Sequence, residues 1–266
     1  MQINNKHGVF VIDDGVYSTL KTAMTDESNI WNILLLGPSG SGKTTMPMLI
    51  AGHLGIPVLK MDCGTVRDPE EWFGKRGASG GATYFEPSSL VKAITDGAVI
   101  ILDELNRVQP YIQSTLYGIL DDTRQVVIHE SVVRVNPKTT FIATINEGVK
   151  YSGTFRLDEA LRQRFDFFVN VDYPDNEIAV YSSVIERDTA EVILTIMNQV
   201  RILDMQNNWG LDASTRTGMK IAKLMSSFGF SIDEALKYAV YNSIHDAVVK
   251  KNIVDAVNSL VKRMNR

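Results

Sequence analysis

Residues 37–44 read GPSGSGKT, a glycine-rich loop that ends in lysine and threonine. The spacing is G-x-x-x-x-G-K-[ST], and each residue type has a task in holding phosphate. Gly37, Gly40 and Gly42 let the backbone turn so that several N–H groups face one anion. Pro38, Ser39 and Ser41 complete the loop, and the helix that follows, with Thr45 beside its start, adds partial positive charge. Lys43 can reach the β- and γ-phosphates of a nucleotide, and the Thr44 hydroxyl can ligate Mg²⁺. The flanks agree, because the apolar run Ile33-Leu34-Leu35-Leu36 precedes the loop as a buried strand and a helix pattern follows. This stretch predicts a nucleotide phosphate site.

A second group of chemical residues lies downstream. Asp103-Glu104 follows the apolar run Ala98-Val99-Ile100-Ile101-Leu102. Acids at the carboxyl end of a buried parallel strand stand where open α/β sheets hold ligands. Beside a phosphate loop, Asp103 is expected to hold Mg²⁺ through water, and Glu104 to orient or deprotonate the attacking water. Asn146 ends the apolar run TTFIATIN and would adjoin the acids if the two strands are neighbours. It could then bond the attacking water or the γ-phosphate, although Asn-Glu-Gly is also good turn chemistry. Arg162 and Arg164 sit on a short helix that Asp158 can cap. An arginine can stabilise a transferring phosphoryl group or simply serve as a surface charge. Arg216 follows Ser214 at the first turn of a later helix, a position that also suits ordinary capping and surface charge.

The elements that must position these residues form an α/β pattern. Strands are expected at 33–36, 57–61, 98–102, 139–146 and 167–171, with a further short strand at 9–12. Helices are expected after Asp13 or Asp14, at 43–54 with Pro47 in the first turn, at 87–97, and from Pro110 through Leu120. The segment before residue 25 could lie against a nucleotide base or merely pack. Residues 62–86 read as a mobile loop or insertion, in which Trp72 and Phe73 favour a packed corner over an exposed contact. Residues 124–135 alternate around His129-Glu130-Ser131 as a hairpin. Arg124, His129, Arg134 and Lys138 make it locally basic, so it is either solvated or a substrate contact. Tyr173-Pro174-Asp175 marks a boundary, giving a nucleotide-binding domain at 1–173 and an all-helical domain at 174–266. The second domain predicts helices at 176–187, 189–205 with Asp188 and Glu191 as a capping pair, 215–228, 232–249 with Ser231 and Glu234 as a capping box, and 252–264. The basic tail KRMNR suits a helix C-terminus.

Composition narrows the classes. The chain has 266 residues, 44% of them apolar, enough for a sizeable core, and its formal net charge of −4 argues against a protein that coats nucleic acid. Cys63 is the only cysteine, which excludes an intramolecular disulfide and a cysteine-rich metal site. The N-terminus MQINNKHGVF lacks a secretory pattern, and no apolar run has the length of a membrane span. A cytoplasmic protein is expected.

With these motifs in order, the chain resembles the AAA+ ATPases, and among them the MoxR-like branch that includes CbbQ- and NorQ-type proteins. GPSGSGKT is similar to Walker A, VIILDELNR to Walker B, FIATIN to the sensor-1 strand, ALRQRF to the arginine-finger segment and ASTRTG to the sensor-2 helix start. Residues 85–97 resemble the branch's helix-2 insert region, and 124–135 its pre-sensor-1 hairpin. The resemblance implies a phosphate-loop NTPase αβα sandwich with a parallel five-stranded core in the order 5-1-4-3-2, plus a small helical lid. It implies ATP and Mg²⁺ as ligands, and a homo-oligomeric ring, hexameric by analogy, acting on a protein substrate or adaptor. Asn146 takes the sensor-1 role and Arg216 the sensor-2 role. Arg164, with Arg162 as a second candidate, reaches into the neighbouring subunit's site. The alternatives are a nucleic-acid motor or GTP-driven restriction-type subunit, a nucleotide-dependent binding switch, and a small-molecule kinase.

Overall fold

The computed structural model of the chain describes residues 1–5, 8–79, 82–128, 131–146 and 153–264. Its central feature is a five-stranded sheet. The strands are β1 (Asn32–Gly37), β2 (Val58–Asp62), β3 (Val99–Asp103), β4 (Thr140–Asn146) and β5 (Phe167–Asn170). Each sheet pairing is parallel, and the order is β5-β1-β4-β3-β2, as the resemblance implies. β1, β3 and β4 are the middle strands, and their buried runs read as near-continuous Ile, Leu, Val and Phe because both faces are covered. Parallel direction brings the carboxyl ends of the strands to one edge of the sheet. Register aligns Gly37 with Asn146 and Asp62 with Asp103, so the phosphate loop, the acid pair and Asn146 all leave that edge.

By contacts the chain forms two compact units. One comprises Asp13–Pro38 and Gly42–Val171, and the other Met1–Ile12, Ser39–Ser41 and Asp172–Arg266. In the sheet-containing unit, helix Asp14–Thr25 is capped by Asp13, which accepts the Val16 N–H. The helix after the phosphate loop is Thr45–Leu54, two residues shorter at its start than the apolar pattern predicts, with Pro47 in its first turn. Pro47 is tolerated there because first-turn N–H groups have no partner within the helix.

Residues 62–86 do not form a featureless loop. They contain a 3-10 turn at Cys63–Thr65, a helix at Pro69–Phe73 and a hairpin pairing Gly74–Ser79 with Ala82–Pro87. The polar residues taken for loop composition are caps. Asp62 accepts the Gly64 N–H and Asp68 the Glu70 N–H, and Pro69 opens the short helix. Trp72 and Phe73 are buried and anchor the segment in the core. Gly74 is required where it stands, at φ 114°, because a Cβ would lie 2.2 Å from the Glu86 carbonyl oxygen. The next helix is Ser89–Asp96, capped by Ser88, while Pro87 closes the hairpin instead of opening the helix. The stripe after Pro110 is interrupted into Pro110–Gln113, a 3-10 turn at Ser114–Leu116, and Tyr117–Leu120. Its apolar members Ile112, Leu116, Ile119 and Leu120 are nevertheless all buried. Strands Gln125–Ile128 and Ser131–Arg134 form the expected hairpin, and its turn residues His129 and Glu130 lie outside the described residues.

The other unit joins a hairpin, Gln2–Asn5 with Gly8–Val11, to helices at Glu177–Tyr181, Arg187–Asn207, Thr215–Phe228, Ile232–Ala239 and Ala247–Met264. Three expectations need correction. The helix expected at 176–187 spans only Glu177–Tyr181. Asp188 does not cap, because the next helix begins earlier and places it inside the first turn. The pattern read as a single helix over 232–249 breaks after Ala239. Val240 leaves helical geometry, Tyr241–Ser243 form a 3-10 turn that buries Tyr241, and Asp246 accepts the N–H groups of Val248 and Val249 to start the last helix five residues earlier than expected. The Ser231–Glu234 capping box is present. Among the described residues no helix is long and apolar enough to cross a membrane.

Candidate nucleotide site

The phosphate loop has the backbone its glycines were expected to allow. Gly37, Gly40 and Gly42 have φ of 145°, 75° and 94°. At Gly37 a Cβ would stand 2.2 Å from the Val171 carbonyl oxygen, so the strand-to-loop exit admits no side chain. Lys43 is buried, and its ammonium donates to the carbonyls of Gly37 and Pro38 at 2.8 and 2.7 Å. Its charge is therefore held inside the loop. Thr44 precedes helix Thr45–Leu54, and Thr45 is exposed at the helix start. The loop tip Ser39–Ser41 groups with the helical residues. There the Tyr173 hydroxyl donates to the Ser39 carbonyl at 3.3 Å. A Cβ on Gly40 would meet the Ser214 side chain at 2.6 Å and the Cβ of Arg216 at 3.5 Å. Among the described residues the buried Ser41 hydroxyl has no hydrogen-bond partner, an unmet donor inside the glycine-rich loop.

Asp103, at the end of β3, is the hub of the second group. Its Oδ1 accepts from the Thr44 hydroxyl at 2.6 Å and from the Thr144 hydroxyl at 2.7 Å, and its Oδ2 pairs with Lys60 Nζ at 2.9 Å. Burial pushes the Asp103 carboxyl up, but the bonds from Thr44, Lys60 and Thr144 outweigh it and leave the group below its ordinary value. Lys60 moves the opposite way, raised by its bond to Asp103 against a smaller desolvation effect. A hydroxyl and an ionised carboxylate this close are hard oxygen donors of the kind Mg²⁺ takes. Among the described residues no cluster of three or more His, Cys, Asp or Glu side chains could hold a metal by protein ligands alone. The Thr44 hydroxyl and Asp103 carboxylate are the kind of one or two protein oxygens by which Mg²⁺ is commonly held together with phosphate and water.

Glu104 leaves the strand in a left-handed conformation, φ 55° and ψ 46°. Its N–H donates to Thr144 Oγ1 at 2.9 Å, so one threonine ties both acids. Its Oε1 accepts from the Asn146 amide at 2.9 Å, and its Oε2 pairs with Arg107 Nε at 2.6 Å. Asn146 thus lies beside the acid pair, because β3 and β4 are neighbours. The turn expected from Asn146-Glu147-Gly148 falls largely outside the described residues. Asn106 is buried and donates to the Asn146 carbonyl at 3.1 Å.

The two arginines differ. The Arg164 guanidinium stacks over the Tyr117 ring at 4.2 Å and donates to the Ala160 carbonyl at 2.6 Å. Arg162 is exposed, 5.2 Å over the Phe168 ring, and lines a cleft of about 370 Å³ that also includes Asn106, Asn146 and Phe155. Neither belongs to the bonded cluster of Asp103 and Glu104. The basic reading of the hairpin also changes. Arg124 turns inward, donating to Asn32 Oδ1 and to the carbonyls of Ile119 and Ile30, and Lys138 pairs with Glu27 at 3.1 Å. Exposed on the hairpin are the cross-strand partners Val127 and Val132, and Arg134 at its strand end.

Sequence reasoning assigned no role to Thr144, Lys60, Asn106 or Arg107. Thr144 was findable, since strand side chains repeat every second residue and position 144 shares a face with Asn146. Arg107 stands three residues after Glu104, the spacing at which side chains eclipse on a 3-10 turn.

Comparison with known proteins agrees with this geometry. The AAA domain family (dynein-related subfamily) matches residues 32–165, and the CbbQ/NirQ/NorQ C-terminal family matches residues 175–264. BssE of Thauera aromatica, described as a proposed chaperone, is 31% identical over 77% of this chain and 72% of its own. An uncharacterized protein of Staphylococcus aureus is 29% identical over 85% of this chain and 89% of its own. Among solved structures, the RuvB Holliday junction branch migration motor of Thermotoga maritima superposes with a TM-score of 0.54 at 18% identity, over 85% of this chain and 68% of that one. NtrX of Brucella abortus, in complex with ADP, gives 0.52 at 16% identity, over 88% of this chain but only 55% of NtrX. At such identities the two structures show a shared fold alone. A phosphate loop and an acid pair at one sheet edge, together with the two family matches, identify the chain as a MoxR-like AAA+ ATPase of the CbbQ/NirQ/NorQ family.

Proposed function

We propose that the protein hydrolyses ATP with Mg²⁺ in a homo-oligomeric ring, hexameric by resemblance, in the cytoplasm, and uses the reaction to remodel or activate a partner protein. The observation that carries the reading is the convergence of Thr44, Asp103, Thr144, Glu104 and Asn146 at one sheet edge. Lys43 and the loop amides bind the phosphates. Thr44 and Asp103 would hold Mg²⁺, which supplies positive charge against the phosphate oxygens. Glu104 takes or directs the proton of the attacking water, and Asn146 aligns it. Residues 1–173 serve as the nucleotide-binding domain and 174–266 as the lid, with Arg216 answering to the bound nucleotide.

An arginine from the adjacent subunit completes the site in this reading. Exposure favours Arg162 for that reach, while Arg164 is held by Tyr117 and the Ala160 carbonyl. A protein partner is favoured over nucleic acid because the hairpin exposes Val127 and Val132 while Arg124 turns inward and Lys138 is paired.

The shared site is tested by mixing two inactive variants, Glu104→Gln and the double variant Arg162→Ala/Arg164→Ala. Mixed rings contain some sites with base and finger both intact, so phosphate release should reappear on mixing. Verified mixed assemblies that stay inactive would count against a site shared between subunits. Turnover stimulated by DNA in a salt-dependent manner would favour the nucleic-acid reading instead.

A further inference from the structure

We propose that Arg107 is a positioning residue for Glu104, fixing the plane of its carboxylate for water activation. The inference rests on Glu104 acting as the water-directing acid, as proposed above. Adjacent residues of a strand point to opposite faces, so Asp103 and Glu104 could not serve one site if the strand simply continued. The chain instead turns left-handed at Glu104, a conformation that is costly for a residue with a Cβ and must be held by its surroundings.

The holding groups are visible. Leu105 and Asn106 are buried. The Asn106 side chain donates to the Asn146 carbonyl, its own carbonyl accepts the Phe155 N–H at 2.7 Å, and the Arg107 N–H donates to the Glu104 carbonyl at 2.9 Å. With the inner two residues of the turn anchored, the outer two, Glu104 and Arg107, are presented together at i and i+3. Asn146 fixes one carboxylate oxygen, which still leaves rotation about that contact. The other lies 2.6 Å from Arg107 Nε in an ion pair; among the described residues that N–H makes no directed hydrogen bond, so Arg107 holds this oxygen by charge and contact. The stem of Arg107 runs past Gly64, where an added Cβ would stand 3.2 Å from Arg107 Cδ, so the neighbouring turn also leaves room for it. The two acids are matched singly by cations from different elements, Lys60 for Asp103 and Arg107 for Glu104.

A group that acts only through Glu104 has a signature that a merely structural residue lacks. In the full-length assembled protein, Arg107→Ala should lower kcat by about 10- to 100-fold, the scale of a misplaced catalytic group. ADP affinity by calorimetry should stay within about threefold, and Arg107→Lys should recover part of the rate. The decisive comparison is Glu104→Gln against Glu104→Gln/Arg107→Ala, which should share one residual rate. Multiplying losses in that double variant would overturn the proposal, as would an unchanged or faster kcat in Arg107→Ala. If Glu104→Gln itself turns over normally, the reading of Glu104 fails, an outcome distinct from failure of the Arg107 proposal.

Discussion

Two arginine–glutamate pairs in this molecule have the same chemistry and opposite settings. Glu104 and Arg107 meet at the rim of the sheet with about a third of each side chain exposed, and Glu104 is otherwise bonded through Asn146. Glu177 is almost wholly buried in the helical unit, and both of its carboxylate oxygens accept hydrogen bonds. Arg201 forks onto its Oε2 and Oε1 at 2.6 and 2.9 Å, and Thr215 and Tyr181 donate to Oε1 as well. Arg201 also donates to the Ala213 carbonyl and stacks over the Tyr173 ring at 4.1 Å. Burial pulls the Arg201 guanidinium down, but Glu177 more than offsets it, and the buried Tyr181 phenol is driven far above its ordinary value. A buried, multiply bonded carboxylate ties three helices and is closed to solvent. A carboxylate left partly open at a sheet edge holds little of the fold together and can still address a water.

The contrast is broken most directly at the open acid. Glu104→Gln should lower the steady-state phosphate-release rate by about 10²- to 10⁴-fold, the range of a lost general base. Its thermal midpoint should stay close to the parent's, since the substitution keeps the size and shape of a partly exposed side chain and changes stability by only about 0.5 kcal/mol. A large fall in melting temperature would show that Glu104 is structural after all.

At the buried pair the expected effects reverse. Arg201→Ala strands an unpaired carboxylate in the interior and should cost about 3–5 kcal/mol in urea denaturation. A loss near zero would mean that water or rearrangement reaches Glu177, and the distinction between the two pairs would collapse.

The smallest effect sharpens the comparison at Asp103. Its carboxyl lies below the ordinary value in the folded protein, so its stabilising contribution is fully present above the unfolded value of about 4 and is lost as pH falls through the lower folded value. Lys60→Met removes one cause of that depression. At neutral pH the change in stability should be under about 1 kcal/mol, because Lys60 is well exposed. On the acid side the variant should lose less stability than the parent as pH falls. Identical acid profiles would show that Thr44 and Thr144 alone set the carboxyl.

Much of the fold was legible because its signals are local. Continuous apolar runs marked β1, β3 and β4, glycines marked the loop, and Ser-x-x-Glu marked the capping box at Ser231. What failed were places where short-range chemistry resembles disorder or where a stripe outlasts its helix. Asp62 and Asp68 read as loop composition and proved to be caps, and Ser88, read as part of the helix over 87–97, proved to be its cap. The stripe over 232–249 kept its period across the break at Val240, because buried residues of a 3-10 turn can continue the same face.

By itself the sequence determined the phosphate loop, the position of the acids at a strand end and the class of chemistry, since glycine geometry and apolar runs depend on near neighbours. Only the tertiary structure decided which groups meet those acids. Thr144 joins Asp103 to Glu104 because β4 lies beside β3, and Lys60 reaches Asp103 because β2 lies on its other side. Strand adjacency is a property of the whole sheet, settled by which faces bury best against one another, and no local spacing encodes it.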